Sequence, residues 1–263
     1  MTHNAKIVIF DIETAPAEAY VWRRWKENIR VDQVISEGYV LCAVAKFLDE
    51  KYPRKISLPD TKQWKTNKED DTEVVKWCWE ILNDADIVVA HNGKHFDFPV
   101  LNTRFMALGL PPPAPYKIVD TLEVAKKKFK FPYNSLHGIL TYLGLATKHD
   151  TDFQLWVDCK NGKMDAWKTM VDYCVNDVKI LETLYKKMVP WIDTHPNMGL
   201  FTDFSRPVCP KCGSEKIHRR GTHHTLTQVY NRYSCTACGG WFRDRNTSLD
   251  KEQKKTVVTH AVT

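Results

Sequence analysis

What this 263-residue chain lacks narrows its possibilities first. No stretch approaches the roughly 20 consecutive apolar residues that a bilayer-spanning helix needs, and the apolar run after the polar start Met1-Thr2-His3-Asn4-Ala5-Lys6 is too short for the core of a secretory signal. The chain is therefore expected to be soluble and cytoplasmic, with no membrane partner. Internal repeats and low-complexity tracts are absent, which excludes repeat architectures. An excess of either charge is missing from residues 1–205, where 27 Lys/Arg face 28 Asp/Glu, but residues 206–263 carry 11 against 4. The basic character belongs to the tail and suggests an anionic partner there, although solvated basic tails are also ordinary. Paired cysteine motifs are equally missing from the first part. Cys42, Cys78, Cys159 and Cys174 lie scattered in apolar or helical surroundings and read as reduced thiols. Cys209, Cys212, Cys235 and Cys238 instead form two Cys-x-x-Cys pairs, which without an export signal argue for metal rather than disulfides.

The remaining composition, 43% hydrophobic, suits one sizeable domain with a full core plus a small one. The stretch Lys6-Ile7-Val8-Ile9-Phe10-Asp11-Ile12-Glu13-Thr14 predicts a strand whose two carboxylates, spaced i, i+2, share one face. Two like charges side by side on an apolar strand repel and resist desolvation, so one stays protonated or a divalent cation neutralises both. A strand end running into a solvated turn is the plain alternative.

Further along, Tyr39–Phe47 predicts a buried strand and Arg54–Leu58 a partner for it, giving an antiparallel meander with the first. Trp22 and Trp25, flanked by Arg23, Arg24 and Lys26, suit either a nucleic-acid strand or packing against the sheet edge. Asp71–Asn83 shows a helical stripe opened by an Asp-Thr cap. Asp86–Ala90 is a short apolar strand running into His91-Asn92-Gly93-Lys94-His95-Phe96-Asp97, after which Phe98, Leu101, Phe105 and Leu108 keep helical spacing. Lys117–Asp120 predicts another strand, Thr121–Phe129 and Ser135–Gly144 two helices, Ala146–Asn161 a polar loop, and Met164–Met188 a long helix. Strands first, then alternating strand and helix, is a mixed-sheet α/β pattern.

Asp97, at a strand-to-helix junction, taken alone reads as a helix cap rather than a ligand. Tyr173 and Asp177 are four residues apart and share one helix face, about 6 Å apart along the axis. Together, the Asp11-x-Glu13 strand end, Asn92-x-x-x-Phe96-Asp97 and Tyr173-x-x-x-Asp177 form an ordered pattern. It resembles that of the DnaQ-like 3′–5′ exonucleases of the ribonuclease H-like superfamily, in the tyrosine-bearing (DEDDy) subgroup that includes polymerase proofreading domains and ribonuclease D. Where the histidine-bearing subgroup has its histidine, this chain has Asp172. The resemblance covers about residues 5–190, including Asp120-Thr121 at a strand exit and Asn134-Ser135-Leu136 at a helix start. It implies a ribonuclease H-like mixed sheet flanked by helices and two catalytic Mg2+ or Mn2+ ions. Asp11 would bridge them, Glu13 and Asp177 would complete the first site, and Asp97 would hold the second largely through water. Tyr173 would orient or help deprotonate the attacking water. Thr14, His91, Asn92 and Phe96 would contact the terminal nucleotide.

Cys209-Pro210-Lys211-Cys212-Gly213 and Cys235-Thr236-Ala237-Cys238-Gly239 form two knuckles, each closed by glycine. Four thiolates make a closed tetrahedral site for one structural Zn2+, and the surroundings read as a small zinc-ribbon β module. His218, His223 and His224 lie between the knuckles as possible competitors, but the four-cysteine set is complete without them. Arg219, Arg220, Arg232, Arg243 and Arg245 alternate with Tyr230, Tyr233, Trp241 and Phe242, a composition suited to phosphate contact and base stacking, although zinc ribbons also dock proteins.

The expected organisation is an exonuclease domain over residues 1–195, a linker over 196–207, a zinc ribbon over 208–245 and a flexible polar tail over 246–263. The expected function is metal-dependent 3′–5′ exonucleolytic hydrolysis of nucleic acid, DNA favoured, at single-stranded 3′ ends, with the ribbon holding substrate. An RNA-processing exonuclease of the ribonuclease D kind and a non-catalytic adaptor remain as alternatives.

Overall fold

The computed structural model describes residues 5–23, 25–145, 151–203 and 205–259; Arg24 of the expected Trp22–Lys26 cluster and the start of the expected 146–161 loop lie outside them. The chain divides into two compact units, one of Lys6–Tyr185 and one built from Lys186 onward.

The first unit is organised around β1 (Ile7–Thr14), whose Val8, Ile9, Phe10 and Ile12 are buried. After it come a short ribbon, β2 (Glu18–Ala19) with β3 (Val34–Ser36), then β4 (Val40–Phe47), buried throughout, and β5 (Arg54–Ser57). α1 (Thr72–Asp84) leads to β6 (Ile87–Ala90), α2 (Asp97–Ala107) and β7 (Lys117–Asp120). The sheet order is β5-β4-β1-β6-β7. β1 is antiparallel to β4 and parallel to β6, so the sheet is mixed and β1 is its central strand. Beyond it lie α3 (Thr121–Lys128), α4 (Leu136–Tyr142), α5 (Gln154–Lys160) and the 25-residue α6 (Met164–Met188). This is the mixed α/β arrangement that the patterning predicts, with the ribonuclease H-like order that the resemblance implies, and the meander of the first strands forms as expected.

The apolar stripe of α1, Val74, Val75, Cys78, Ile81 and Leu82, is buried against the sheet. Its expected Asp71 cap is different. Asp71 makes no capping bond; fully buried, it accepts from the Val40 N–H at 2.9 Å and from both arms of the Arg104 guanidinium. A bidentate partner outcompetes a single helix N–H for a desolvated carboxylate.

The expected 146–161 loop also needs correction, since Gln154–Lys160 is helical. Only Cys159 of α5 is fully buried, so no apolar stripe marked it. Tertiary contacts hold it: Lys160 Nζ lies 2.8 Å from Glu18, and Trp156 packs edge-on against Tyr173. Trp22 and Trp25 are 92% and 83% exposed, so neither packs against the sheet edge.

The second unit carries β8 (Ile217–His224), β9 (Val229–Cys235) and β10 (Trp241–Arg243), antiparallel in the order β10-β9-β8. Within the expected polar tail, α7 (Lys251–Thr256) forms a short exposed helix opened by an Asp250–Gln253 capping box.

Candidate active site

Alternation along β1 puts Asp11 and Glu13 on one face and the buried Ile12 on the other. The antiparallel register with β4 shifts between Glu13 and Thr14, where the strand leaves the sheet. Across from them, α6 presents Asp177. Ligand oxygens of Asp11, Glu13 and Asp177 all lie within 4.8 Å of one another. Asp97, the first residue of α2 and 3% exposed, accepts the Ile12 backbone N–H at 3.2 Å, which ties the start of α2 to β1.

Packing four carboxylates this closely is costly. Burial first, then the charges of Asp97, Glu13 and Asp177, push the Asp11 carboxyl well above its ordinary range. Burial and the Asp177 charge push Glu13 up to about 8, and burial pushes Asp97 to about 7. Two neighbours work the other way: the Cys174 thiol faces Asp11 Oδ2 at 3.4 Å, and Trp156 Nε1–H donates to Glu13 Oε2 at 3.3 Å. An all-oxygen, strongly anionic set with this little internal compensation fits hard divalent cations such as Mg2+ or Mn2+. Asp11, Glu13 and Asp177 would hold one, with Asp97 beside them.

Tyr173, one turn before Asp177 on α6, is half-buried. Burial, followed by the charges of Asp177, Glu13 and Asp11, raises its phenol above the ordinary value, so it stays protonated at neutral pH.

The expected substrate contacts divide. Thr14 lines a cleft of 390 Å³ together with Pro16, Phe153 and Trp156. Phe96 is 42% exposed at the mouth of α2. Asn92 adopts a left-handed conformation with φ +70°, which asparagine tolerates better than most residues, and its N–H donates to Asp120 Oδ1 at 3.0 Å.

His91 differs from expectation. Its Nε2 donates to the Asn134 carbonyl and its Nδ1 lies 2.9 Å from Thr121 Oγ1. Burial lowers its pKa, so the ring is neutral and both nitrogens are occupied inside the protein. It braces the loop rather than offering a free nitrogen to a nucleotide. Asp120 does the same from β7: it caps α3 through Leu122 N–H and also accepts from Asn92 and Lys94 N–H. Trp156, Cys174 and the bracing role of Asp120 escaped the sequence reading. For Trp156 no periodicity could have found it.

In the second unit, Cys209, Cys212, Cys235 and Cys238 bring their sulfurs within 4.8 Å of one another. The Cys209–Cys238 and Cys212–Cys235 separations are 3.8 and 3.7 Å; a tetrahedron with metal–sulfur bonds of about 2.3 Å has edges of about 3.8 Å. Gly213 and Gly239 have φ +76° and +78°, the left-handed turns each knuckle requires. The Gly240 N–H points at Cys238 Sγ at 3.3 Å. Although burial raises the Cys235 thiol, the backbone N–H groups of Cys238 and Ala237 outweigh it and bring it to about 7. The donor set fits one Zn2+, and His218, His223 and His224 are not part of it.

On the same small sheet the Arg232 guanidinium lies over the Trp241 ring at 5.1 Å and Arg243 over Tyr230 at 3.8 Å, while Tyr233 stacks on Phe242 with centroids 5.6 Å apart.

No curated protein matches the chain. Among solved structures, the family B DNA polymerase from the hyperthermophilic archaeon Pyrobaculum calidifontis is similar with a TM-score of 0.52 at 17% identity. The match covers 71% of this chain but 25% of the polymerase, so the chain spans about a quarter of that protein, and the likeness is one of fold. Residues 37–189 match the family model of the RNase H superfamily; that span includes Asp97, Tyr173 and Asp177, while β1 precedes it. With more than half of its length so matched, and with the mixed sheet of that fold at its centre, the chain belongs to the RNase H superfamily.

Proposed function

We propose that the protein is a metal-dependent 3′–5′ exonuclease acting on nucleic acid, with DNA favoured and single-stranded 3′ ends as substrate. The observation that carries this reading is the convergence of Asp11, Glu13 and Asp177 within 4.8 Å, with Tyr173 one helical turn from Asp177 and Asp97 bound to β1 alongside. Family membership and fold likeness support a nucleic-acid hydrolase; direction and substrate are this reading's own. Divalent cations held by the carboxylates would stabilise the attacking and leaving oxygens of an in-line displacement.

The chain's own residues do the rest. Asp11, Glu13, Asp97 and Asp177 supply the oxygen ligands. Tyr173, held protonated, positions the attacking water through its hydroxyl rather than serving as a strong base. The cleft walled by Thr14, Pro16, Phe153 and Trp156 adjoins Glu13 and can take the terminal nucleotide, with Asn92 and Phe96 on the α2 side.

In this reading residues 1–195 form the nuclease, 196–207 a linker, 208–245 a zinc ribbon and 246–263 a polar extension. Four thiols at tetrahedral spacing support the zinc assignment. The Arg–aromatic pairs on β9 and β10 support nucleic acid as the ribbon's partner, since both phosphate contact and base stacking are available on one face.

The test is degradation of 5′-labelled single- and double-stranded DNA and RNA oligomers with Mg2+ or Mn2+. A ladder shortening from the 3′ end that disappears with chelator is expected. Faster loss of RNA would favour the RNA-processing alternative, and no cleavage of any substrate would leave an adaptor.

A further inference from the structure

Trp156 is the residue of the site that the four-carboxylate, one-tyrosine pattern does not contain. It sits on α5, 143 residues from Glu13 in sequence, and its Nε1–H reaches Glu13 Oε2 at 3.3 Å. Its ring meets Tyr173 edge-on, with centroids 6.1 Å apart and planes at 75°. One indole therefore touches both a would-be metal ligand on β1 and the phenol on α6. Its only donor is spent on the carboxylate, because an indole has one N–H and no acceptor.

A carboxylate has two oxygens and rotates about its last torsion broadly. A donor fixed to one oxygen removes that freedom and turns the other lone pairs towards Asp11 and Asp177. Hydrogen-bond partners that orient metal-ligating carboxylates tune the site's affinity for the ion or its activity. α5 is in turn tied to β2 by the Lys160–Glu18 ion pair, a contact made apart from the carboxylate cluster.

We propose that Trp156 is a positioning residue that orients Glu13 for divalent-metal binding and, through its ring edge, fixes Tyr173 beside the same ion. The proposal rests on the metal-site reading above. Its test is Mn2+ binding to the full chain, followed by electron paramagnetic resonance without any substrate. Trp156→Phe keeps the contact with Tyr173 and removes the N–H. It should weaken Mn2+ binding measured without substrate by about 10–100-fold, and raise the metal concentration for half-maximal cleavage in step. Trp156→Ala, which also removes the buttress, should lower kcat even at saturation.

Equal Mn2+ affinity in the wild-type and Phe proteins would overturn the proposal while leaving the nuclease reading standing. A wild-type protein that takes up no Mn2+ would remove both. If the Phe variant fails to fold, the indole N–H signals of the nine tryptophans in wild-type protein decide the matter. The Trp156 indole N–H should shift with Mg2+, and no shift at that signal sinks the idea.

Discussion

At the scale of single residues, Asp11 and Glu13 were legible because alternation on a strand is a rigid rule: two carboxylates at i, i+2 must share a face. Asp11→Ala or Asp177→Ala should cut turnover by several orders of magnitude in the oligomer assay, and near wild-type rates in either purified variant would sink the metal-site assignment. Tyr173→Phe should slow single-turnover hydrolysis by about 10²–10⁴-fold, the usual worth of a group that positions or moves a proton, with substrate affinity little changed. The raised carboxyl groups also predict a pH signature. Glu13 moves from the ordinary range near pH 4 to about 8 and Asp97 to about 7, so the folded protein binds protons more tightly than the unfolded chain between those limits. Metal-free protein should accordingly lose stability as pH rises from about 4 towards 8. Added Mg2+ should raise the melting temperature more at pH 8 than at pH 5, because cation and proton compete for the same oxygens; scanning calorimetry across that range checks both signs. What His91 can offer a substrate is also decided at this scale. A histidine next to a catalytic loop offers two nitrogens on paper, but whether either is free depends on Thr121 and Asn134, 30 and 43 residues away.

At the scale of elements, strands and helices with strong periodicity were legible and those without it were not. β1, β4, β6, α1 and α6 each bury a continuous stripe or run, and their order alone fixes a mixed α/β sheet. α5 buries one residue fully and owes its helix to partners on β1, β2 and α6, so local sequence is silent about it. β2 and β3 are two and three residues long, below what alternation can signal. Asp71 shows how a local rule yields to a distant partner: the cap signal was present, but Arg104 on α2 took the carboxylate and with it locked α1, α2 and the start of β4 together. Arg104→Ala leaves that carboxylate buried with only the Val40 N–H. It should destabilise the fold by about 3 kcal/mol, read as a lower urea midpoint with an unchanged m-value. A midpoint within error of wild type would mean that water replaces the guanidinium without cost.

At the scale of the whole molecule, the charge split and the paired cysteines announced a second module, and the three-stranded sheet and four-sulfur cluster are what the chain builds there. Which partner that sheet meets was not legible, because arginines over aromatic rings suit nucleic acid and protein alike. Removing residues 206–263 should leave cleavage of a di- or trinucleotide nearly intact while weakening binding of long strands and flattening its salt dependence. Each lost phosphate contact on a single strand lowers the log–log slope by about 0.7. Cys235→Ser should imitate the truncation, with about one zinc per intact chain falling to none, since metal binding and folding of such modules are coupled. Unchanged affinity and slope would assign the module to a protein partner. The descent of Asp177 onto β1 from α6 carries a different consequence, one of time. Cys174 and Asp11 touch across 163 residues of sequence, and the central strand's parallel neighbour β6 follows both its antiparallel partner β4 and the outer strand β5 in the chain. Contacts this distant must pay loop-closure entropy before they return any stabilisation, and they make folding slow. During synthesis the carboxylates of β1 therefore wait, unpaired and without a metal site, until nearly the whole first unit has left the ribosome. On the proposed function, a growing chain could not hydrolyse nucleic acid until α6 closes onto β1.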